Sequence, residues 1–198
     1  MLAQINPQLL AVTAIAQNDR KEITPYNGVR VEPSSQGGIL LIATTGNILT
    51  VAHDIDGSCS EPFTFLPSVE ILKVAKTSAA TSVEVSSDVE VIDKNQYRIM
   101  TGMLNLSEGF PDWRNIIPCV IPGMVQTTHK SMFFIKAFDI VVKQAKLFDK
   151  EQTFELLTFG PETAKGPQLI KYTNQPVFTL IAPSEKEYDI SQELPFII

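Results

Sequence analysis

Apolar residues along this chain follow two different spacings. Across residues 7–17, Leu9, Leu10, Thr13, Ala14 and Gln17 recur at the 3.6-residue interval of a helix, with Asn6 as capping residue and Pro7 at the first helical position. The next apolar runs, at 26–32, 38–44 and 48–53, are short and rich in β-branched residues, as strands are. The breaks between them, Pro33-Ser34-Ser35-Gln36-Gly37 and Thr45-Gly46-Asn47, carry turn chemistry. The order then repeats. A short extended run at 63–66 leads into a helix over 67–76 and strands at 82–86, 89–92 and 97–104. A longer helix over 131–148 precedes strands at 154–159, 169–172 and 177–182. The helices start at 7, 67 and 131, so one helix-plus-strands unit recurs at intervals of 60 and 64 residues without visible sequence identity.

Each helix is too short to be stable alone and each group of strands has a face to cover, so the helices are expected to pack on the sheets. Short turns between the strands favour antiparallel hairpins over parallel crossovers, which makes the fold class α+β. The repeat divides the chain into a complete two-unit domain over 1–118, with units of about 1–60 and 61–118, and a shorter second domain over 119–198 that carries the long helix 131–148.

The 198 residues are 44 % hydrophobic and 19 % charged, enough for a substantial core and too apolar for wholesale disorder. No apolar run approaches the roughly 18 residues of a membrane span, and the first residues lack the features of a secretory leader, so the expected location is cytoplasmic and no membrane partner is expected. A net charge of -6 excludes binding nucleic acid through the whole surface but leaves room for a local basic face. On a wheel of 100° per residue, Phe134, Ala137, Phe138, Val141, Val142, Ala145 and Phe148 share one side of the third helix, the expected core side. Lys136, Lys143, Lys146 and Lys150 occupy an arc of about 80° on the other, diluted by Asp139. In the second helix Lys73 and Lys76 are three apart on one face. An ordinary solvated surface explains such charges, and so does a surface that follows phosphates without reading bases.

Other chemistry is thin. Cys59 and Cys119 lie far apart, outside any zinc or disulfide spacing, and read as buried thiols. The stretch His53-Asp54-Ile55-Asp56-Gly57-Ser58-Cys59 is the densest set of reactive groups, but an EF-hand calcium loop starting there would need glutamate where Phe65 stands. A small hydrolase built on His53, Asp54 and Cys59 requires those groups to converge. His129 reads as a residue at a helix start, and Trp113, the lone tryptophan, as a packing residue. No phosphate-binding glycine loop or nucleophile elbow is present, so neither a catalytic residue, a metal nor a cofactor is expected.

Three segments carry a family resemblance. Tyr26-Asn27-Gly28-Val29 followed by Leu40-Leu41-Ile42-Ala43-Thr44-Thr45-Gly46-Asn47-Ile48-Leu49 resembles the middle domain of the bacterial sliding clamp, the DNA polymerase III beta subunit. Glu108-Gly109-Phe110-Pro111-Asp112-Trp113-Arg114-Asn115-Ile116-Ile117-Pro118 is similar to the segment that closes that domain, and Val177-Phe178-Thr179-Leu180-Ile181-Ala182-Pro183 to the last strand of the clamp. Their order and spacing also fit, in patches covering roughly residues 5–183.

The resemblance implies the DNA clamp fold, with helices around a central hole and sheets outside. It implies a non-enzymatic processivity factor, a homo-oligomeric ring that binds double-stranded DNA independently of sequence, with Lys73, Lys76, Lys136, Lys143, Lys146 and Lys150 facing the DNA. It also implies an apolar pocket for peptides of polymerases and clamp loaders, walled by Thr44, Gly46, Asn47, Ile48, Leu49, Pro111, Asn115, Ile116, Leu180 and Ala182. Asn47 and Ile48 stand where family clamps have histidine and arginine, which makes the expected pocket smaller and more apolar. The alternative is a clamp-fold module that binds such peptides without encircling DNA. The segment Gln192-Glu193-Leu194-Pro195-Phe196 loosely resembles the peptides that clamps bind.

Overall fold

The computed structural model describes residues 2–17, 27–86, 88–95, 98–103, 109–116, 135–149, 151–158 and 167–182. In chain order the first unit comprises β1 (Ala3–Ile5), α1 (Pro7–Ala14), β2 (Val29–Pro33), β3 (Ile39–Thr44), β4 (Ile48–Asp54) and a two-residue β5 (Ser58–Cys59). The second comprises β6 (Phe63–Phe65), α2 (Val69–Ala75), β7 (Ala80–Val85), β8 (Asp88–Asp93) and β9 (Arg98–Met103). After a 3₁₀ turn at Trp113–Ile116 the third consists of α3 (Ile135–Phe148), β10 (Phe154–Thr158), β11 (Gln168–Tyr172) and β12 (Val177–Ile181).

The helix starts follow from side-chain caps. Asn6 Oδ1 accepts from the Gln8 and Leu9 amides at 2.9 and 3.2 Å, and Ser68 Oγ accepts from the Ile71 amide at 3.2 Å, so orphan first-turn donors are satisfied. Helix α1 is shorter than its periodicity predicts, and seven of its eight residues are buried, because α2, α3 and the sheets all pack against it. Its hydroxyl-bearing Thr13 tolerates this by donating to Leu9 O at 2.8 Å. Residues 15–17 follow α1 outside the helix; residues 131–134, expected in the long helix, lie outside the described residues.

Among the described residues all strand pairs are antiparallel, with one sheet of five strands in the order β5-β1-β7-β8-β9 and another of seven in the order β10-β11-β12-β4-β3-β2-β6. The first two units are interlocked: the strand before each helix joins the first strand after the other helix, β1 on β7 and β6 on β2. Gly28 makes the second of these contacts possible, since its φ is +94° and a Cβ there would stand 2.4 Å from Phe65 O. The third unit joins the first through its last strand, β12 on β4, with Thr50 opposite Thr179 and Leu49 opposite Leu180. Short strands β1 and β5 have no counterpart in the sequence reading, because two or three residues establish no periodicity.

The helices cover one face of this two-sheet layer and build the main core, from Leu10 and Val12 of α1 through Leu41, Ala43, Ala52, Ile170 and Ile181 to Val141 of α3. At the β4–β12 seam this inner face is polar. Gln144, fully buried on α3, donates through Nε2 to Val12 O at 3.1 Å and Thr50 Oγ1 at 2.8 Å. Its Oε1 accepts from Tyr172 Oη at 2.6 Å and Thr179 Oγ1 at 3.0 Å. This corrects the expected orientation of the long helix. The buried side is Ala137, Ile140, Val141, Gln144 and Ala145, while Phe138 and Val142 are exposed. A polar residue that fills all its hydrogen bonds has replaced two apolar ones in the core-facing arc, turning the helix by roughly 50° on the wheel.

Candidate functional site

The face of the seven-stranded sheet away from the helices also has a core of its own. Side chains alternate along β3, β4 and β12, so Ile42, Leu49, Val51 and Leu180 project outward and cluster with Trp113, flanked by Leu40, Leu169, Phe178 and Phe110. The near-continuous apolar runs of β3 and β4, Ile39-Leu40-Leu41-Ile42-Ala43 and Ile48-Leu49-Thr50-Val51-Ala52, are the sequence signal that both faces are covered.

The covering segment is 109–116. Trp113 is 5 % exposed and packs in the patch, as expected of a packing residue. The Arg114 guanidinium stacks 4.4 Å from the Trp113 ring centroid and reaches Glu32 on β2 with a 2.8 Å ion pair, while Arg30 holds the other Glu32 oxygen at 3.2 Å. Burial pushes the Glu32 carboxyl up, but the hydrogen bonds and charges of Arg114 and Arg30 outweigh it and hold it below the ordinary glutamate range.

Beside this patch the β3–β4 turn is tightly organised. Thr44 Oγ1 donates to Ile48 O at 2.7 Å and accepts from the Gly46 amide at 3.0 Å, and the Thr45 amide donates to Ile48 O at 3.0 Å. Gly46 has φ +93°, yet a Cβ built on it would meet nothing within 4 Å, so the turn conformation demands glycine while the space above it stays open. The Ala182 amide donates to Asn47 O at 2.8 Å and ties the end of β12 to this turn.

Thr44, Gly46, Asn47, Leu49, Leu180 and Ala182 are therefore neighbours at one end of the seam. Pro111, half-buried, and Asn115, exposed and donating to Asp112 at 2.9 Å, flank Trp113 in the covering segment. Ile48 faces the other way, into the main core, because its place in the alternation is opposite to Leu49. The Ile116 side chain lies outside the described residues. Leu40, Ile42, Val51, Phe178 and Trp113 belong to the same surface without having been expected there.

On the other side of the layer Lys73, Lys76, Lys136, Lys143 and Lys146 are all exposed, and Lys150 lies outside the described residues. Lys143 pairs with Asp139 at 2.6 Å one turn away, both more than half exposed, an arrangement of little energetic weight. The α3 lysines occupy the side opposite Ala137 and Val141, away from the sheet.

His53, Asp54 and Cys59 do not form a catalytic group. His53 Nε2 bonds Gly37 O at 2.8 Å, whereas the buried Asp54 accepts from the Asn6 amide at 2.7 Å and faces a cavity of about 200 Å³ with Asp56 and Ser82. Cys59 pairs with Ala3 in the other sheet, and burial pushes its thiol up, away from reactivity. Among the described residues no three His, Cys, Asp or Glu side chains gather as metal ligands, and no helix is long and apolar enough to cross a membrane.

Interlocked helix-and-strand units with helices on one face and a continuous sheet crossing from one unit to the next define the DNA clamp fold. Solved structures that share it are bacterial DNA polymerase III beta subunits. The protein from Borrelia burgdorferi superposes with a TM-score of 0.56 at 12 % identity, over 94 % of this chain and 64 % of that one. The Streptococcus pyogenes protein gives 0.56 at 13 %, over 94 % and 66 %, and one from Pseudomonas aeruginosa 0.60 at 10 %, over 93 % and 67 %. The chain thus spans about two thirds of the length of these proteins. No protein-family model matches the sequence, and no curated protein matches it either.

Proposed function

We propose that this protein is a sliding-clamp-like replication processivity factor, a non-enzymatic homo-oligomer that encircles duplex DNA and tethers a polymerase through its outer face. In this reading residues 1–118 form a complete clamp-like domain and 119–198 a shortened second one. Lys73, Lys76, Lys136, Lys143, Lys146 and Lys150 attract phosphate without fixing a register, which suits a protein that moves along its substrate. The open turn at Gly46 and Asn47, with Leu49, Leu180 and Ala182 beside it, receives an apolar peptide of a polymerase or clamp loader, and in this reading Pro111, Asn115 and Ile116 of the covering segment contribute to the same pocket.

The observation that carries the reading is the separation of two chemistries across one layer: exposed lysines on the helix side, and an apolar patch beside an unobstructed turn on the sheet side. Retention on covalently closed circular DNA, lost when the circle is cut, tests the encircling role. Substituting Lys136, Lys143 and Lys146 together by Glu is expected to abolish that retention while leaving peptide binding intact. Asn47→Trp, at an exposed turn position, is expected to block a labelled peptide carrying glutamine, leucine and phenylalanine while leaving DNA retention intact.

The net charge of -6 and the Asp139–Lys143 pair favour a second reading, a clamp-fold module that binds peptides without encircling DNA. Peptide binding sensitive to Asn47→Trp, with equal retention on closed and linear DNA, selects it.

A further inference from the structure

The end of β4 meets the other sheet around a cavity of about 200 Å³, bounded by Asp54, Asp56 and Gly57 of the β4–β5 turn, by Asn6 at the start of α1 and by Thr81 and Ser82 of β7. None of these residues belongs to the lysine face or to the outer apolar patch. Two groups in the wall lack the partners that buried polar atoms require. Asp54 is 3 % exposed, and its one hydrogen bond, from the Asn6 amide to Oδ2 at 2.7 Å, leaves Oδ1 without a donor. Ser82 Oγ is buried and has no hydrogen-bond partner at all. Among the described residues no Lys, Arg or His side chain pairs with Asp54 or with the exposed Asp56.

The backbone on both sides is shaped around these oxygens. The Gly57 amide donates to Asp54 O at 3.2 Å, which closes the turn and brings Asp56 round to the same cavity. A Cβ at Gly57 would stand 2.7 Å from Asp54 Oδ2, so glycine is what lets the turn close over that carboxylate. Across the cavity β7 shifts register against β8 between Ala80 and Ser82. The extra residue, Thr81, donates its hydroxyl to Ile92 O at 3.1 Å, and the bulge sets the direction of Ser82 at the wall. The Asn6 bond accounts for one oxygen of Asp54, since a negative charge at the first turn of α1 is favourable. It accounts for neither Oδ1, nor a second carboxylate beside it, nor a buried hydroxyl without a partner.

We propose that this cavity binds a hydrated divalent cation of the calcium or magnesium class, with Asp54 and Asp56 as carboxylate ligands and Ser82 Oγ bonded to the ion or to one of its waters. Two neighbouring carboxylates repel each other, and a cation between them reverses the sign of that interaction. Oxygen donors without sulfur or imidazole select a hard ion over zinc or copper. The volume suits an ion that keeps several waters, each taking roughly 30 Å³, when one or two carboxylates hold it. Because Asp54 ends a strand of the seven-stranded sheet and Ser82 lies in the five-stranded one, the ion ties the two sheets together. The site requires neither DNA nor a peptide on the outer face.

Isothermal titration of the full 198-residue chain with calcium chloride and, separately, magnesium chloride, at an ionic strength held constant with sodium chloride, tests the proposal. One ion per chain is expected, with a Kd on the order of 10⁻⁴ to 10⁻³ M and a saturable rise in Tm over the same concentrations. Asp56→Asn, at an exposed turn position, is expected to weaken binding about tenfold or more with unchanged circular dichroism. Asp54→Asn keeps an acceptor for the Asn6 amide and is expected to abolish the rise in Tm. Ser82→Ala is expected to weaken binding about threefold, the worth of one hydrogen bond. Absence of saturable binding of either ion below about 10 mM, well above the expected range, overturns the proposal. Binding as tight in all three variants as in the native chain, or a rise in Tm that sodium chloride alone reproduces, overturns it equally.

Discussion

The two faces of the seven-stranded sheet meet opposite demands at the same place. At the β4–β12 seam the face under the helices carries Thr50 and Thr179 in register, hydrogen-bonded to each other at 2.9 Å and to Gln144, with Tyr172 joined to the same amide. One residue along, on the opposite face, Leu49 and Leu180 pair under Trp113. The inner face is where an apolar core is expected and the outer face where water is expected, so the polarity at this point is inverted. The inner cluster is directional: the hydroxyls and amide satisfy one another in a single register of helix against seam. The outer cluster is apolar contact, closed by a segment held through Arg114 and Glu32 at its rim, and Trp113 Nε1 is buried there with no acceptor among the described residues. One face fixes geometry; the other is a surface that another apolar segment can share.

The largest test of this contrast is Gln144→Ala. Removing the hub leaves Val12 O and the surrounding hydroxyls short of partners, and the expected loss is roughly 3 kcal/mol, or about 10 °C in Tm. A loss below about 1 kcal/mol in urea titration would mean that the inner cluster is filler and does not set the register. Tyr172 sharpens the same point through pH. Its hydroxyl is pushed up to about 12, chiefly by burial, with the Thr179 hydrogen bond acting in the opposite direction. An unfolded tyrosine titrates near 10, so the folded chain holds the proton longer. This contribution is complete below about pH 10 and is lost as pH rises to about 12, with a slope approaching 1.4 kcal/mol per pH unit. Tyr172→Phe is expected to cost about 1 kcal/mol at neutral pH and to flatten the alkaline fall in the urea midpoint; an unchanged slope refutes the assignment.

The smallest effect belongs to the outer face. Glu32→Gln is expected to cost less than about 1 kcal/mol, since its partner Arg114 is half exposed. Because the Glu32 carboxyl is depressed, its contribution is present above the ordinary glutamate range and is lost as pH falls through the depressed value. The fluorescence of Trp113, the lone tryptophan, reports whether the covering segment loosens over that acid window. A Glu32→Gln variant with an unchanged acid response would detach the segment's hold from this ion pair.

Local rules made most of the elements legible. Asn6 caps α1 as its type predicts, and the breaks at Pro33 to Gly37 and Thr45 to Asn47 separate strands where turn residues cluster, whereas α2 starts at Val69 behind a Ser68 cap and not at Pro67 as expected. The turn and the last strand that the resemblance singled out, Gly46 and Leu49 with Leu180 and Ala182, do lie side by side. Failures arose where tertiary contacts overrode pattern. A helical wheel counts glutamine as polar, so it could not foresee that Gln144 would be buried by four hydrogen bonds and that Phe138 and Val142 would face outward. The motif groups Ile48 with its neighbours, but a strand sends adjacent residues to opposite faces. Leu40, Val51 and Phe178 became part of a patch only once strands far apart in sequence had been aligned.

The seam also dictates an order of events during folding. Thr50 and Thr179 are 129 residues apart, so the edge of β4 away from β3 has no native partner until nearly the whole described chain is available. Closing so long a loop is an entropic cost met before the contacts reward it, which places this protein among slow, non-local folders. On a ribosome, residues 48–54 wait as an exposed apolar strand while the rest is made, a time at which a chaperone or a wrong strand can claim that edge.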